Sequence, residues 1–142
     1  MTYKIVYEAN PRHEETQLLG NGIMAYAKQK MEFDPINFFA FFIRDDNNEI
    51  RGGCNGCNLY GCLYIDQLWI EESLRSKGYG TSLMETAEKW GIANGCTFSA
   101  VNTMSWEALE FYKKRGFYIE FERRGFLKDS IFYFLRKDFS ND

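Results

Sequence analysis

The segment RSKGYG at residues 75–80 has the residue types and spacing needed to bind a phosphate. It follows an apolar, strand-like run at residues 63–70 and opens a helix-like run at residues 81–94. Backbone N–H groups and a helix N-terminus converge at such a junction, which suits a pyrophosphate. Glycines there let an anion approach the backbone closely. The segment therefore predicts a site for a phosphate-bearing cofactor.

Cys54 and Cys57 have the spacing of half a zinc site or of a redox pair. A second pair is missing, and the only histidine, His13, is far away along the chain. The surrounding sequence predicts a strand, on which residues three apart face opposite sides. We interpret the two cysteines as packing residues and expect no metal site, with a metal or redox role as the less favoured alternative.

Length and composition predict one globular domain over residues 1–142. The chain is 45% hydrophobic and 18% aromatic, with a net charge of -3 and four cysteines. The acidic balance disfavours nucleic acid as a partner, and no run is long and apolar enough to cross a membrane. The N-terminus lacks the pattern of a signal peptide. With four cysteines that fit a reducing compartment, these features predict a cytoplasmic protein.

Hydrophobic periodicity predicts a mixed sheet covered by helices. Asn10 and Pro11 indicate the start of a first helix, which Gly20 and Gly22 could divide into two. Ser105 has the character of an N-cap for a later helix. The predicted strands are residues 3–7, 38–44, 49–58, 62–70, 97–102, 117–123 and 130–137, and the predicted helices are residues 11–31, 81–94 and 105–115.

With a second block, ALEFYKKRGF at residues 108–117, the chain resembles the GNAT superfamily of N-acetyltransferases. The RSKGYG motif is weak alone, but its place between strand and helix and the block about 30 residues later make the match specific. FYFLRK at residues 132–137 is similar to the family's last strand. The resemblance implies an α/β GNAT fold: a mixed, mostly antiparallel sheet of about seven strands, flanked by about four helices.

The resemblance also implies that acetyl-CoA is the cosubstrate. Backbone N–H groups at the start of the helix would hold its pyrophosphate, two basic side chains would add positive charge, and the exposed backbone of the preceding strand would pair with the pantetheine arm. The N–H groups belong to Gly78, Tyr79, Gly80 and Thr81. The basic side chains are Arg75 and Lys77, and the strand residues are Leu68, Trp69 and Ile70. Ser105 stands where the family often has a cofactor-binding Asn, and so it is a further candidate.

Tyr112 and Asp66 are the candidate catalytic residues. Tyr112 stands where the family places a tyrosine near the cofactor sulfur, and a protonated phenol can donate a proton to the departing thiolate. The alternative is an aromatic residue of the core. Asp66 is a candidate base for the acceptor amine if burial or a charged neighbour makes it more basic. Alternation predicts that Tyr64, Asp66 and Leu68 share one face of the strand.

The resemblance implies direct transfer to a primary amine in a ternary complex. A covalent route through Cys62 or Cys96 lacks a neighbouring histidine in sequence. We expect the acceptor pocket among the first helices, the Asp66 strand and the last two strands. The acceptor class stays open between small amines, amine-bearing antibiotics and protein amino groups, and a homodimer is also left open. The alternative function is a non-catalytic acyl-CoA-binding sensor or scaffold.

Overall fold

A computed structural model describes residues 1–140 of the chain. Contacts divide it into two compact units, residues 1–36 and the chain from Asn37 onwards. In the described residues, no helix is both long enough and apolar enough to span a bilayer.

The first unit contains one helix, α1 (His13–Met31). It begins after Arg12, two residues later than the proline predicts, and it runs without a break through Gly20 and Gly22. A glycine inside a helix costs only about 1 kcal/mol relative to alanine, so two glycines need not end it. The predicted strand at residues 3–7 is wrong, since residues 1–36 contain no strand. Its alternating pattern gives strand propensity, which does not by itself supply a pairing partner.

The second unit contains a six-stranded mixed sheet in the order β1-β2-β3-β4-β6-β5. Neighbouring strands are antiparallel except β3 and β4, which are parallel. The strands are β1 (Asn37–Arg44), β2 (Ile50–Leu59), β3 (Cys62–Ile70), β4 (Phe98–Met104), β5 (Tyr118–Arg123) and β6 (Phe132–Asp138), and the helices are α2 (Tyr79–Ala93) and α3 (Leu109–Lys114). The described chain thus has six strands and three α-helices, close to the predicted seven and four, and the predicted fold class is confirmed.

Helix α2 packs on the face of the sheet that carries Leu63 and Ile65. Its buried residues include Met84 and Ala87, which are fully enclosed in the core. Gly91 lets the helix approach closely, because a Cβ at that position would come within 3.1 Å of Leu63. This face positions the start of α2 beside the end of β3.

Glu88 is buried on the core side of α2, where a charged residue is rarely found unless it is paired. Its carboxylate accepts hydrogen bonds from Lys137 Nζ at 2.8 Å and from Arg115 Nη2 at 3.2 Å. Two cations from β6 and from the end of α3 therefore neutralise it. The network ties α2 to both elements, which explains how a carboxylate is tolerated there.

We predict that Glu88→Gln lowers the free energy of unfolding by about 3 kcal/mol, because it leaves two partly buried cations without their counter-charge. Urea unfolding followed by tryptophan fluorescence measures the loss. Glu85→Gln is the matched control: Glu85 also contacts Arg115, at 3.5 Å, but its side chain is 55% exposed, so the loss there stays below about 1 kcal/mol. Equal losses for the two variants would contradict the role of the network.

Candidate functional site

Strands β3 and β4 separate halfway along their length. They pair only from Cys62↔Phe98 to Ile65↔Val101. Beyond that point β3 stays paired with β2 up to Ile70, and β4 stays paired with β6 up to Met104. Each strand therefore turns one edge toward the gap, where its backbone groups have no strand partner. Such an edge can bind an extended, amide-containing ligand as if it were another strand.

A β-bulge at Asp66 marks the start of this gap. The register between β2 and β3 runs from Gly56↔Ile65 to Asn55↔Gln67 and skips Asp66. A bulge bends its strand and increases the local twist. This bulge directly follows Ile65, the last residue of β3 that pairs with β4, and it therefore accounts for the divergence of the two strands.

The bulge corrects the predicted face of β3. Leu68 and Ile70 pack against the same core as Leu63 and Ile65, so Leu68 lies on the face opposite Tyr64 and does not share it. Asp66 itself is exposed.

Gly56 makes the bulge sterically feasible. A Cβ at this position would collide with the backbone carbonyl oxygen of Tyr64 on β3. A glycine inside a strand commonly marks such a close approach of two backbones. The glycine is visible in the sequence of β2, but that sequence alone does not show which neighbouring strand comes close to it.

In sequence, the N-terminus of α2 comes soon after β3, the strand that forms one side of the gap. This N-terminus lacks a side-chain cap. Gly78 is its N-cap, in the left-handed conformation with φ 87°, which favours glycine. The helical hydrogen bond to its carbonyl oxygen comes from the Ser82 N–H, at 3.0 Å. The N–H groups of Tyr79, Gly80 and Thr81 precede that bond and have no intrahelical acceptor. This set of donors fits an anionic group such as a pyrophosphate.

The basic residues of the motif are exposed. Arg75 Nε donates a hydrogen bond to the carbonyl oxygen of Ile70 at 3.0 Å, which fixes the loop to the end of β3. Gly80 has a packing role in addition to its predicted role in binding the pyrophosphate. A Cβ there would lie 3.3 Å from the Phe111 ring and 3.4 Å from Ile70 Cδ1.

A cleft of about 490 Å³ connects these elements. Five predicted residues line it: Leu68, Trp69, Ile70, Arg75 and Gly80. Lys77, Gly78, Tyr79 and Thr81 adjoin it in sequence. Four other lining residues come from α3 and the turn before it, and the sequence does not single them out as site residues: Trp106, Glu107, Ala108 and Phe111.

The predicted start of α3 at Ser105 is wrong. The helix begins at Leu109, and Ala108 is its N-cap. Ser105 instead pairs with Ile131: its N–H donates to the Ile131 carbonyl oxygen at 2.8 Å, and its hydroxyl accepts from the Ile131 N–H at 3.1 Å. Glu107 Oε1 accepts from the Met104 N–H at 2.9 Å, which holds the intervening turn. The turn places Trp106 and Glu107 at the cleft.

Tyr112 is buried, with 5% of its surface exposed, and is absent from the residues that line the cleft. Its ring makes edge-to-face contacts with Phe111 and Phe117. Burial, followed by the nearby Glu107 and Cys54, raises the pKa of Tyr112 to about 12. The phenol is therefore protonated at neutral pH, and Phe111 alone carries the aromatic surface of α3 into the cleft.

The four cysteines are buried free thiols. Cys54 pairs across the sheet with Leu68 and Cys57 pairs with Tyr64, so the two lie on opposite faces, as the spacing predicts. Burial raises the pKa of Cys54 to about 11, and burial with neighbouring thiols raises that of Cys62 to about 11. Neither is a ready nucleophile at neutral pH. In residues 1–140, no cluster of three or more His, Cys, Asp or Glu residues could hold a metal ion.

A mixed sheet that opens beside an uncapped helix N-terminus defines a class of α/β protein suited to a phosphate-bearing ligand with an extended arm. The profile of the acetyltransferase (GNAT) family matches residues 5–117. The chain belongs to this family.

Individual relatives agree with the family assignment. The chain is 35% identical over 75 residues to an acetyltransferase of Agrobacterium fabrum, covering 53% of this chain and 55% of that protein. It is 31% identical over 88 residues to the blasticidin-S acetyltransferase of Streptomyces morookaense, covering 61% and 65%. The chain thus spans between about half and two thirds of the length of these curated relatives.

A solved structure shows the same fold over nearly the whole chain. It is the crystal structure of a protein from Agrobacterium tumefaciens assigned as an acetyltransferase. The TM-score is 0.84 at 24% identity, covering 96% of this chain and 100% of that one.

We predict that Gly56→Ala lowers the free energy of unfolding by about 3 kcal/mol or more, since the methyl group would force β2 away from the bulge. Thermal unfolding followed by far-UV circular dichroism measures the effect. Gly22→Ala is the control, because nothing lies within 4 Å of its Cβ position and alanine favours a helix. A Gly56→Ala protein as stable as Gly22→Ala would mean that the close approach is not needed.

Proposed function

We propose that this protein is an acetyl-CoA-dependent N-acetyltransferase that transfers the acetyl group directly to a primary amine. The observation that carries the proposal is the gap between β3 and β4 beside the uncapped start of α2. A pyrophosphate and an amide-containing arm need two kinds of binding element. The gap and the helix N-terminus offer both on consecutive segments of chain.

In this proposal the N–H groups of residues 78–81 bind the pyrophosphate of acetyl-CoA. The side chains of Arg75 and Lys77 add positive charge, and Arg75 is already held at the end of β3 through Ile70. The pantetheine amides pair with the free backbone edge of residues 68–70. Ser105, whose hydroxyl oxygen accepts from Ile131, keeps its own proton for a contact with the cofactor.

The thioester then reacts near α3. The amine attacks the thioester carbonyl carbon, the C–S bond breaks, and the thiolate leaves with the electron pair. Tyr112 donates its phenolic proton to that thiolate, and the nitrogen gives up its second proton to the Tyr112 oxygen as the amide forms. Asp66 takes a proton from the incoming ammonium group through a water molecule, because an ammonium has no free electron pair for attack. Asp66 is exposed and directly follows Ile65, the last residue of β3 that pairs with β4, so a water molecule can reach its carboxylate.

A thiol-release assay with acetyl-CoA and a panel of primary amines tests the proposal. We expect Tyr112→Phe to lower kcat about a hundredfold, the scale of one proton transfer, while the affinity for acetyl-CoA stays within about threefold of the wild type. Phenylalanine keeps the ring contacts, so folding is preserved. An unchanged kcat would remove the acid role of Tyr112.

The same assay separates the enzyme from the alternative, an acyl-CoA-binding sensor or scaffold. Calorimetric binding of acetyl-CoA without thiol release for any amine would favour the sensor. The absence of binding would contradict both.

We further predict that Lys77→Glu weakens CoA binding at least tenfold, because it replaces a positive charge beside the pyrophosphate with a negative one. Isothermal titration calorimetry measures the change. Lys89→Glu is the matched control, since Lys89 is an exposed lysine on α2, far from the start of that helix. An N-acetylcysteamine thioester, which lacks the pyrophosphate, should be insensitive to both variants. Equal weakening by Lys77→Glu and Lys89→Glu would contradict the assigned phosphate site.

A further inference from the structure

Two polar side chains connect strands β3 and β4 at the point where the strands separate. Ile65 and Val101 form the last pair between the two strands. Asn102, the next residue of β4, donates a hydrogen bond from Nδ2 to the Tyr64 hydroxyl oxygen at 3.4 Å. Tyr64 directly precedes Ile65 on β3, so this hydrogen bond crosses the closed end of the gap. We call Tyr64 and Asn102 the gap bridge.

The gap bridge faces away from Tyr112. Along each strand, the residues on either side of Tyr64 and of Asn102 are buried, so these two side chains point to the opposite face of the sheet. Tyr112 belongs to the buried core, whereas Tyr64 and Asn102 are partly exposed. A thioester in the gap therefore has Tyr112 on one side and the gap bridge on the other. The group that protonates the thiolate is thus separated from a group that accepts the first proton of the amine.

Asp66 lies on the same face as the gap bridge. Ile65 and Leu68 both pack in the core, so the bulge turns the two residues between them, Asp66 and Gln67, away from it. Both of these residues are exposed. The Asp66 carboxylate therefore lies on the side of the sheet that carries the Tyr64 hydroxyl, next to the last pair of β3 and β4.

The charge of Asp66 acts on the Tyr64 phenol. Burial first, then Asp66 and then the thiols of Cys57 and Cys62, raise the pKa of Tyr64. Since an ordinary tyrosine has a pKa of about 10, the Tyr64 hydroxyl keeps its proton at neutral pH. A hydroxyl group has one proton to donate and two lone pairs that accept. Because Asn102 donates to one lone pair, Tyr64 can accept one more hydrogen bond and donate one.

We infer that Tyr64 is a further catalytic residue, which relays the first proton of the acceptor ammonium group toward Asp66. The inference rests on the proposed function and adds a residue to its base step. The ammonium N–H bond breaks as its proton passes to the Tyr64 oxygen. The phenolic O–H bond breaks as that proton passes to the water molecule at Asp66, and the water passes one of its protons to the carboxylate.

The relay moves one proton from nitrogen to Asp66 and leaves Tyr64 neutral. The nitrogen keeps the electron pair of the broken N–H bond, and this pair attacks the thioester carbonyl carbon. Asn102 is a positioning residue, because it fixes the hydroxyl oxygen that receives the proton. Tyr112 takes no part in this first transfer, since it faces the other side of the gap.

Primary amines of different basicity test the relay in the thiol-release assay at neutral pH. Ethylamine and benzylamine carry a proton, as a lysine side chain does, and need the relay. Trifluoroethylamine and aminoacetonitrile are mostly unprotonated, because their electron-withdrawing groups make the nitrogen weakly basic. We expect Tyr64→Phe to lower kcat/KM at least tenfold for the first two amines and less than threefold for the last two. This contrast within one preparation is independent of the fraction of folded protein.

Two further variants complete the test. Asn102→Ala should reproduce the contrast between the amines with a smaller loss, because it acts only through Tyr64. Tyr118→Phe is the matched control: Tyr118 also donates to an aspartate, Asp138, at 2.7 Å, but its strand β5 lies at the far edge of the sheet. It should leave kcat/KM within twofold of the wild type for every amine. The affinity of Tyr64→Phe for acetyl-CoA should stay within about threefold.

The outcomes separate this inference from the proposed function. Thiol release by the wild type, with a Tyr64→Phe loss that is absent or equal for all amines, overturns the relay alone. A Tyr118→Phe protein with the same contrast between amines as Tyr64→Phe would also overturn it. Failure of every amine to release thiol counts against the proposed function as well.

Discussion

The bulge at Asp66 is the constraint on which the arrangement of the site depends. It adds one residue to β3 relative to β2, at the position where parallel pairing with β4 ends. The added twist separates two strands that would otherwise continue their ladder. The separation frees one backbone edge on each strand. Gly56 is part of the same feature, because any larger residue would meet the Tyr64 carbonyl oxygen.

Rigid contacts on the helix side hold the other walls of the cleft. Gly80 allows the first turn of α2 to pack against Phe111 and Ile70, and Glu88 joins the middle of α2 to Arg115 at the end of α3. These contacts join α2 to α3 beside β3. Precise positioning matters for group transfer, since reacting groups must be held close and correctly oriented.

Much of this architecture could be predicted from the sequence, because local chemistry determines it. The bounds of β3 and the start of α2 follow from an apolar run and a glycine-rich turn. Three features could not be predicted, since each depends on a distant partner: the burial of Glu88 requires Lys137, the delayed start of α3 requires Ile131, and the bulge requires β2. Tyr112 could be located on α3 from its motif, but its burial depends on packing against Phe117.

The bulge also decides which side chains of β3 face which partner. Without the extra residue, strict alternation would place Trp69 on the core face with Leu63 and Ile65, and Leu68 on the opposite face. With it, Leu68 joins the core, and Trp69 lies across from Gly53, which on its other side pairs with Phe42. A single inserted residue thereby creates both the free backbone edge toward β4 and the aromatic wall on the other face. The bulge thus determines both where the backbone of β3 becomes free toward β4 and which side chains of β3 lie on each face of the sheet.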